Sequence, residues 1–453
     1  MNEHVRRYKR YPKYKDSKVE WLGEVPQGWR VLRLRSTVTS CQNGVWGDEP
    51  DGIHDIPCVR VADFDRTSFR VGEIPTVRSI DPRAVAVRRL NKGDLLLEKS
   101  GGGELQPVGV VVSYDRETAA VCSNFIARMG VASGFDSRFL VYLHAALYKL
   151  RINTRSIKQS TGIQNLDSDS YLQESGAFPD LSEQRAIATF LDRETTKIDA
   201  LMAKKERLIE LLQEQRGALI TRAVTKGLDL SVAMKNSGVD WIGDVPTQWG
   251  VSRIKFVARL RSGHTPSRQQ TEYWQDCTIP WFGLADVWQI RDGRTEYVTE
   301  TAEKISELGL ANSAARLLPA GTVMLSRTAS VGFSAIMGVP MATTQDFVNW
   351  VCGPRVRPEY LLYVFRAMGH EFNRLTMGST HQTIYMPDVG RFEMPLPPAN
   401  EQRVIVNFIR EKSRKLESLV DKIQTAAGRL VEQRTALISA AVTGKIDVRE
   451  EVA

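Results

Sequence analysis

The 453-residue chain has little cysteine and little histidine, and what it has is scattered. Cys41, Cys58, Cys122, Cys277 and Cys352 are odd in number and form no Cys-x-x-Cys pair. That excludes a zinc ribbon and a disulfide framework and suits a reducing, cytoplasmic setting. His4, His54, His144, His264, His370 and His381 have no metal-ligand spacing, so no metal is expected. No apolar run approaches the ~18–20 residues that cross a bilayer, and the charged first twenty residues contain no apolar signal segment, so no membrane partner is expected. No Gly-x-x-x-x-Gly-Lys-Ser/Thr loop is present to cradle a nucleotide. Asp/Asn-Pro-Pro-aromatic and Phe-x-Gly-x-Gly sequences, which would serve methyl transfer, are missing too. Pro387-Asp388 with Glu393 has Pro395 where a nuclease would need Lys, and it reads as scaffold.

What is present is an ordinary globular composition, 42% hydrophobic and 25% charged, long enough for two to four domains with real cores. Net charge is +8 and the pI about 9.2, which points to an anionic partner.

The stretch Leu181–Lys226 has no Pro, one Gly and a sustained apolar stripe. With Ile198 at heptad position a, Leu201, Lys205, Leu208, Leu212, Gln215 and Leu219 take alternating d and a positions. This predicts a long helix with a coiled-coil seam, roughly 65–70 Å if unbroken. Ser182 is the expected N-cap and Gly227 the expected stop. A second copy lies 218 residues on. Ser182-Glu183-Gln184-Arg185 matches Asn400-Glu401-Gln402-Arg403, and Glu214-Gln215-Arg216 matches Glu432-Gln433-Arg434. Its seam is expected at Leu416, Leu419, Ile423, Ala426, Leu430, Gln433 and Leu437. The two helices are predicted to pack on each other, with Gln215 and Gln433 as polar seam positions that set register.

Other segments recur as well. Glu20-Trp21-Leu22-Gly23-Glu24-Val25-Pro26 returns as Asp240-Trp241-Ile242-Gly243-Asp244-Val245-Pro246, the mark of tandem homology. Trp21 and Trp241 read as packing anchors. Residues 1–18 are basic with Tyr8, Tyr11 and Tyr14 interleaved; either an arm for phosphates or a partner protein, or a solvated terminus, is expected. Residues 30–178 and 250–396 carry short β-type runs punctuated by Gly and Pro. The first half is predicted to have strands near Asp94–Glu98, Val108–Ser113 and Phe125–Arg128, then a helix at Phe139–Leu150. The second offers Thr322–Ser326, Ser334–Met337, Phe347–Val351 and a helix at Tyr360–Met368. The order agrees while spacing and most side chains differ, as suits two modules that read two different things.

Here the residues resemble a known family. The paired Trp-containing openings and Ser262-Gly263-His264-Thr265-Pro266-Ser267-Arg268 carry the resemblance. So do Ile279-Pro280-Trp281-Phe282, Leu325-Ser326-Arg327-Thr328-Ala329-Ser330-Val331-Gly332, Gly378-Ser379-Thr380-His381-Gln382, and Pro395-Leu396-Pro397-Pro398 before Glu401-Gln402-Arg403. Together they are similar to the specificity (S) subunits of type I restriction-modification systems, over nearly the whole chain. The resemblance implies an α+β chain: two tandem, pseudo-repeated α/β target-recognition domains joined by two long antiparallel coiled-coil helices. The expected divisions are a basic arm (1–25), domain 1 (26–180), the central helix (181–227), a repeated linker (228–250), domain 2 (251–397), the C-terminal helix (398–445) and a tail (446–453). It implies a non-catalytic subunit of a DNA adenine methyltransferase and restriction endonuclease complex. Each domain would read one half of an asymmetric, bipartite site in double-stranded DNA, and the helices would act as a ruler. Two methyltransferase subunits, and restriction subunits in the full complex, are the implied protein partners. This chain would bind no cofactor; S-adenosylmethionine would belong to the methyltransferase partner, ATP and Mg to the restriction partner.

Base reading in a major groove calls for polar side chains on loops, with Lys and Arg on phosphates. In domain 2 the candidates are His264, Thr265, Arg268, Arg327, Thr328, Gln345, His381, Gln382 and Thr383. In domain 1 they are Lys99, Ser100, Arg155, Lys158, Gln159 and Gln164. Domain 1 departs from the pattern, with Glu98-Lys99-Ser100-Gly101-Gly102-Gly103 and Asn43-Gly44-Val45-Trp46 in place of the sharper second-half motifs. A stand-alone sequence-specific DNA-binding protein is the alternative; an enzyme of unusual motif and a coiled-coil scaffold are the remaining rivals.

Overall fold

The computed structural model describes residues 7–160, 162–229, 231–377 and 382–451, and the side chains of Gln159 and Ser160 lie outside the description. The chain divides into two units, residues 1–205 with 424–453, and residues 206–423. Helix Leu181–Lys226 and helix Ala399–Val442 each contribute residues to both units.

Unit 1 is built on a six-stranded sheet in the order Val38–Asn43, Ile126–Val131, Leu95–Glu98, Val111–Ser113, Arg70–Val71, Phe64–Asp65. Leu95, Leu96 and Leu97 are fully buried, as a continuous apolar run in a central strand should be. Helix Ser137–Lys149 packs behind it, started by Asp136, whose carboxylate accepts from the Arg138 and Phe139 N–H groups. The unit also holds a three-stranded sheet (Val121–Cys122, Asp55–Val59, Val77–Ser79), a second one (Ser100–Gly101, Ile163–Leu166, Ile157–Ser160), and two strand pairs, Tyr14–Asp16 with Glu24–Pro26 and Arg30–Arg33 with Ser175–Phe178.

Unit 2 repeats the plan. Its five-stranded sheet runs Ala258–Ser262, Phe347–Cys352, Val323–Ser326, Ser334–Met337, Tyr297–Val298, with helix Pro358–Ala367 behind. Its three-stranded sheet is Glu303–Ile305, Ile279–Phe282, Ala342–Thr343. The predicted central strands and helices are all found, Ser334–Met337 with the expected bounds and the others with ends that differ by at most three residues. Where unit 1 has the Ser100–Gly101 sheet, unit 2 has an isolated bridge between Thr328 and Thr383 among the described residues.

The recurring Glu-Gln pair has a structural role in each unit. Glu183 accepts a hydrogen bond from the Trp29 indole at 3.3 Å and Glu401 accepts one from the Trp249 indole at 2.9 Å. Gln184 and Gln402 are wholly buried. Gln402 donates to the Arg355 and Pro397 carbonyls and accepts from the Arg357 N–H, each at 2.9 Å. Gln184 does the same with Pro179, Gly134 and Asp136. The amide thus ties each long helix to the helix behind the sheet, and satisfies loop groups that burial would otherwise leave unpaired. Trp21 and Trp241 pack half-buried against their cores, as anchors do.

The long helices run Leu181–Lys226 and Ala399–Val442. Gly227 does end the first, at φ +71°. Its N-cap is Asp180, not Ser182, because the Asp180 carboxylate accepts from the Glu183 N–H at 2.8 Å. The seam also differs from the expected one. Ile198, Lys205, Leu212 and Leu219 face inward as predicted, but Met202, Ile209 and Arg216 alternate with them, while Leu201 and Leu208 are about half exposed and Gln215 is exposed. In the second helix Leu416, Ile423, Leu430 and Leu437 hold, and Val420 (7% exposed) displaces Leu419 (46%). The physical reason is the pairing of two seam arginines. In unit 1 Arg434 holds Asp199 at 2.9 Å and reaches the Thr67 carbonyl. In unit 2 Arg216 holds Glu417 at 3.2 Å and reaches the Gly293 carbonyl.

The basic N-terminal stretch is neither free arm nor solvated tail over its described part. Tyr8 and Tyr11 are buried, Tyr8 edge-on to Phe190, and the Tyr11 hydroxyl donates to Glu183 at 2.6 Å. The Asp447 N–H donates to the Lys9 carbonyl, so residues from the two ends of the chain close unit 1 together.

Candidate functional site

In unit 2 four separated segments meet at one loop cluster. Gly263 starts it: a Cβ there would run into the Thr343 and Thr344 carbonyl oxygens, so only glycine lets the strand end this close to its neighbour. The His264 N–H then donates to the Thr343 carbonyl at 3.0 Å, leaving the His264 ring exposed. The Thr265 hydroxyl donates to the Gln345 side-chain oxygen at 2.6 Å. Arg327 donates from Nε to the Gln345 carbonyl and from Nη1 to the Ile384 carbonyl. Ala329, at φ +59°, donates its N–H to the Gln382 carbonyl, and Thr328 bridges Thr383. Thus His264, Thr265, Arg327, Thr328, Gln345, Gln382 and Thr383 come together, with Gln345 and Gln382 exposed. His381 lies outside the described residues.

Arg268 sits beside this cluster on an aromatic platform. Its guanidinium is 3.8 Å from the Trp274 ring centre and 5.4 Å from that of Trp281, and it pairs with Glu303. The Trp281 indole donates to the His264 carbonyl, which joins platform and cluster. A flat cation stacked this way keeps its outward N–H groups aimed, as recognition of a base edge or a phosphate requires. Sequence patterning did not single out Trp274; the aromatic-rich run Tyr273–Phe282 after the Gly-His-Thr-Pro turn was the signal. Trp288, on the turn Leu284–Gln289 that follows Phe282, is 72% exposed and was not anticipated either.

Unit 1 presents the same frame with other side chains. Gly44 stands where Gly263 does, and a Cβ there would meet the Cys122 and Ser123 carbonyls. Lys99 donates to the Asn43 side chain at 2.7 Å, and Ser100 to Asn165 at 2.5 Å. The hairpin places Lys158 and Gln159 opposite Asn165 and Gln164. The Lys158 ammonium bonds Asp167, which raises its pKa above the usual lysine value. Gln164 is buried and its side-chain oxygen accepts from the Val108 N–H, so this amide serves the fold. Arg155 lies apart from Ser100 and Lys99 in its pairing, facing Glu20 and Glu174 at 3.9 and 3.8 Å.

Both surfaces offer polar donors and acceptors on loops held by hydrogen bonds. Among the described residues no group of His, Cys, Asp and Glu could hold a metal ion, and no helix is long and apolar enough to cross a membrane.

Residues 246–425 match the sequence profile of the type I restriction modification DNA specificity domain. The chain is 29% identical over 190 residues to the type I restriction enzyme MjaIX specificity subunit of Methanocaldococcus jannaschii, covering 40% of this chain and 43% of that one. It is 19% identical over 434 residues to the putative MjaX specificity subunit of the same organism, covering 94% and 96%. In fold it is similar to a chain solved in a study of assembly and conformational transition of the type I restriction-modification system, with TM-score 0.65 at 18% identity, over 92% and 98% of the two chains. It is also similar to the HsdS subunit from Thermoanaerobacter tengcongensis, with TM-score 0.51 at 15% identity, over 93% and 98%.

Proposed function

We propose that the chain, which is similar to type I restriction-modification specificity subunits, is the non-catalytic subunit that gives such a complex its DNA sequence. Each unit reads one half of an asymmetric, gapped site through its loop cluster. The observation that carries this reading is the pairing of one strand order with two different sets of loop side chains: Thr265, Gln345, Arg327 and Arg268 in unit 2, Lys99, Asn43, Ser100 and Asn165 in unit 1. A common frame with unequal readers is what two unequal half-sites require.

The long helices serve as spacer between the readers and as the binding surface for two methyltransferase subunits; restriction subunits join through that core. S-adenosylmethionine is then bound by the methyltransferase partner, and ATP and Mg by the restriction partner. Arg268 and Arg327 are the first choices for base edges, Lys99 for a base or phosphate in the other half.

Modified-base sequencing of the host genome with and without this gene tests the reading. Loss of adenine methylation at one asymmetric, gapped motif is the expected result. A purified chain that binds one ungapped sequence tightly by itself, with host methylation unchanged, would instead favour a stand-alone DNA-binding protein.

A further inference from the structure

Unit 2 contains a second polar feature that sequence reading has no part in. A cavity of about 320 Å³ lies within it, lined by Arg216, Arg294, Arg366, Arg410, Arg414 and Ser413, with the carboxylates of Glu296 and Glu417 also in its wall. Four carboxylates answer the five guanidiniums: Glu417 pairs with Arg216, Asp421 and Asp292 with Arg294, and Glu296 with Arg410, at 3.2, 2.8, 3.9 and 2.6 Å. Arg366 has no such partner among the described residues; its Nη2 donates to the Thr295 carbonyl at 2.7 Å. Burial pushes its pKa below the usual guanidinium value, but Arg stays protonated in proteins. Its charge is met only at longer range, by Glu296 and Glu417, and its guanidinium lies 5.5 Å from the Tyr363 ring centre.

In the cavity lining the unmet groups are ones that can donate; beside it Glu359 Oε2, whose other oxygen accepts from the Tyr297 hydroxyl, is unmet as an acceptor. Arg216 Nε and the hydroxyl of Ser413, itself 4% exposed, are buried without a hydrogen-bond partner. A buried polar group left so costs about 1–3 kcal/mol, and what would satisfy these groups is an acceptor carrying negative charge. Arg410 and Arg414 also line an open groove along the second long helix, with Lys415 and Lys422, which gives a way in from solvent.

The frame does not need these arginines. Unit 1 has the same long-helix and short-helix packing, with Gln184 and Gln402, Tyr142 and Tyr363 in matching places. There Ala145 stands for Arg366, Asp192 for Arg410, Thr196 for Arg414 and Thr195 for Ser413. Thr195 is satisfied, donating to the Leu191 carbonyl at 2.7 Å. Unit 1 has its own cations around Tyr142, with Arg434 in the place of Arg216 and Arg70 and Arg138 nearby, but unit 2 differs in carrying Arg366, Arg410 and Arg414 and in leaving the Ser413 hydroxyl unpartnered.

We propose that this cavity is a binding site for a phosphate-type oxyanion, separate from the loop cluster that reads DNA. Arg366 and Ser413 are its inner ligands, Arg216 and Arg410 its walls, and Arg414 its rim. At ~30 Å³ per water the cavity holds roughly ten waters, enough for one phosphate group or a short polyphosphate.

The test uses the full-length protein in a chloride buffer, titrated with inorganic phosphate against chloride at equal ionic strength. Calorimetry and the melting temperature are read together. Phosphate should bind saturably and raise the melting temperature where chloride does not. Arg366→Ala, which installs the side chain that unit 1 tolerates, should weaken phosphate about tenfold or more, the loss expected for a charged hydrogen bond. Ser413→Ala should weaken it about threefold or more by the same reasoning for a neutral donor, and it decides alone if Arg366→Ala does not fold. Tripolyphosphate binding tighter than phosphate assigns a polyphosphate ligand; equal binding assigns a single phosphate group. Equal responses to phosphate and chloride, or a phosphate response unchanged in the variants, overturns the proposal.

Discussion

Replacing Gln402 by Ala removes three hydrogen bonds of 2.9 Å from a side chain with no exposure. Each contributes about 1 kcal/mol net, so the local loss is about 3 kcal/mol. The damage should fall where the bonds fall: on the Arg357 N–H at the start of helix Pro358–Ala367, and on the Arg355 and Pro397 carbonyls. A chain of two units does not unfold as one two-state body, so a melting temperature does not locate where the loss falls. Amide hydrogen exchange is better. At 1.4 kcal/mol per factor of ten, the Arg357 amide should exchange roughly a hundredfold faster in Gln402→Ala, while the amide of Asp136, served by Gln184 in unit 1, should not change. Gln402→Glu sharpens the test. It keeps an acceptor for Arg357 but turns the NH2 group that faced two carbonyls into a carboxylate oxygen. The buried carboxyl is then favoured in its neutral form, so this variant should regain protection as the pH falls. An Arg357 amide that exchanges at the wild-type rate in Gln402→Ala would refute the idea that the glutamine ties the long helix to the domain.

Other expectations follow from the same packing. Ile209→Ala should cost about 1–2 kcal/mol, below the ~2–5 of a fully buried site, and Leu208→Ala less than about 0.5; a larger loss for Leu208 in denaturant titration would restore the alternative seam. His144 is wholly buried beside the Tyr171 hydroxyl, and burial lowers its pKa from 6.5 to about 4. The unfolded chain takes up that proton first, so this contribution is intact above about pH 6.5 and is lost as pH falls from there toward 4, at up to about 1.4 kcal/mol per pH unit. His144→Gln should flatten the stability profile in that window, and a profile parallel to wild type would contradict this. One heptad inserted into both 200–215 and 418–433 lengthens each helix by about 10 Å, or about three base pairs. The accepted gap between half-sites should grow by that amount, and an unchanged gap would remove the spacer role.

Much of this was readable from residue pattern. Leu181–Lys226 stood out because a long period without Pro, ended by Gly227, leaves few other conformations. Central strands such as Leu95–Glu98 and Val323–Ser326 are apolar runs with flanking Gly, and both were visible. The seam was misplaced by one residue at alternate positions because both candidate faces are apolar: Leu201 and Leu208 against Met202 and Ile209. Which face turns inward depends on Arg216 and Arg434 reaching domain carbonyls, a tertiary fact with no local signature. The tyrosines of the N-terminal stretch were likewise ambiguous, since Tyr11 finds Glu183 only in the folded unit. In the candidate site, the polar turn residues of unit 2 were legible from their Gly-rich settings. Gln164 was nominated by polarity alone and is used internally. The Arg268 platform needed Trp274 and Trp281 to be brought together by the fold.

The central claim is that the two units read separate halves of one site. The most direct measurement is modified-base sequencing of a host whose gene carries Arg327→Ala with Gln345→Ala. A base-reading arginine contributes about 1–3 kcal/mol of discrimination. The methylated motif should therefore relax in one half only, with the other half and the gap unchanged. A motif relaxed in both halves, or unaltered throughout, would contradict the account.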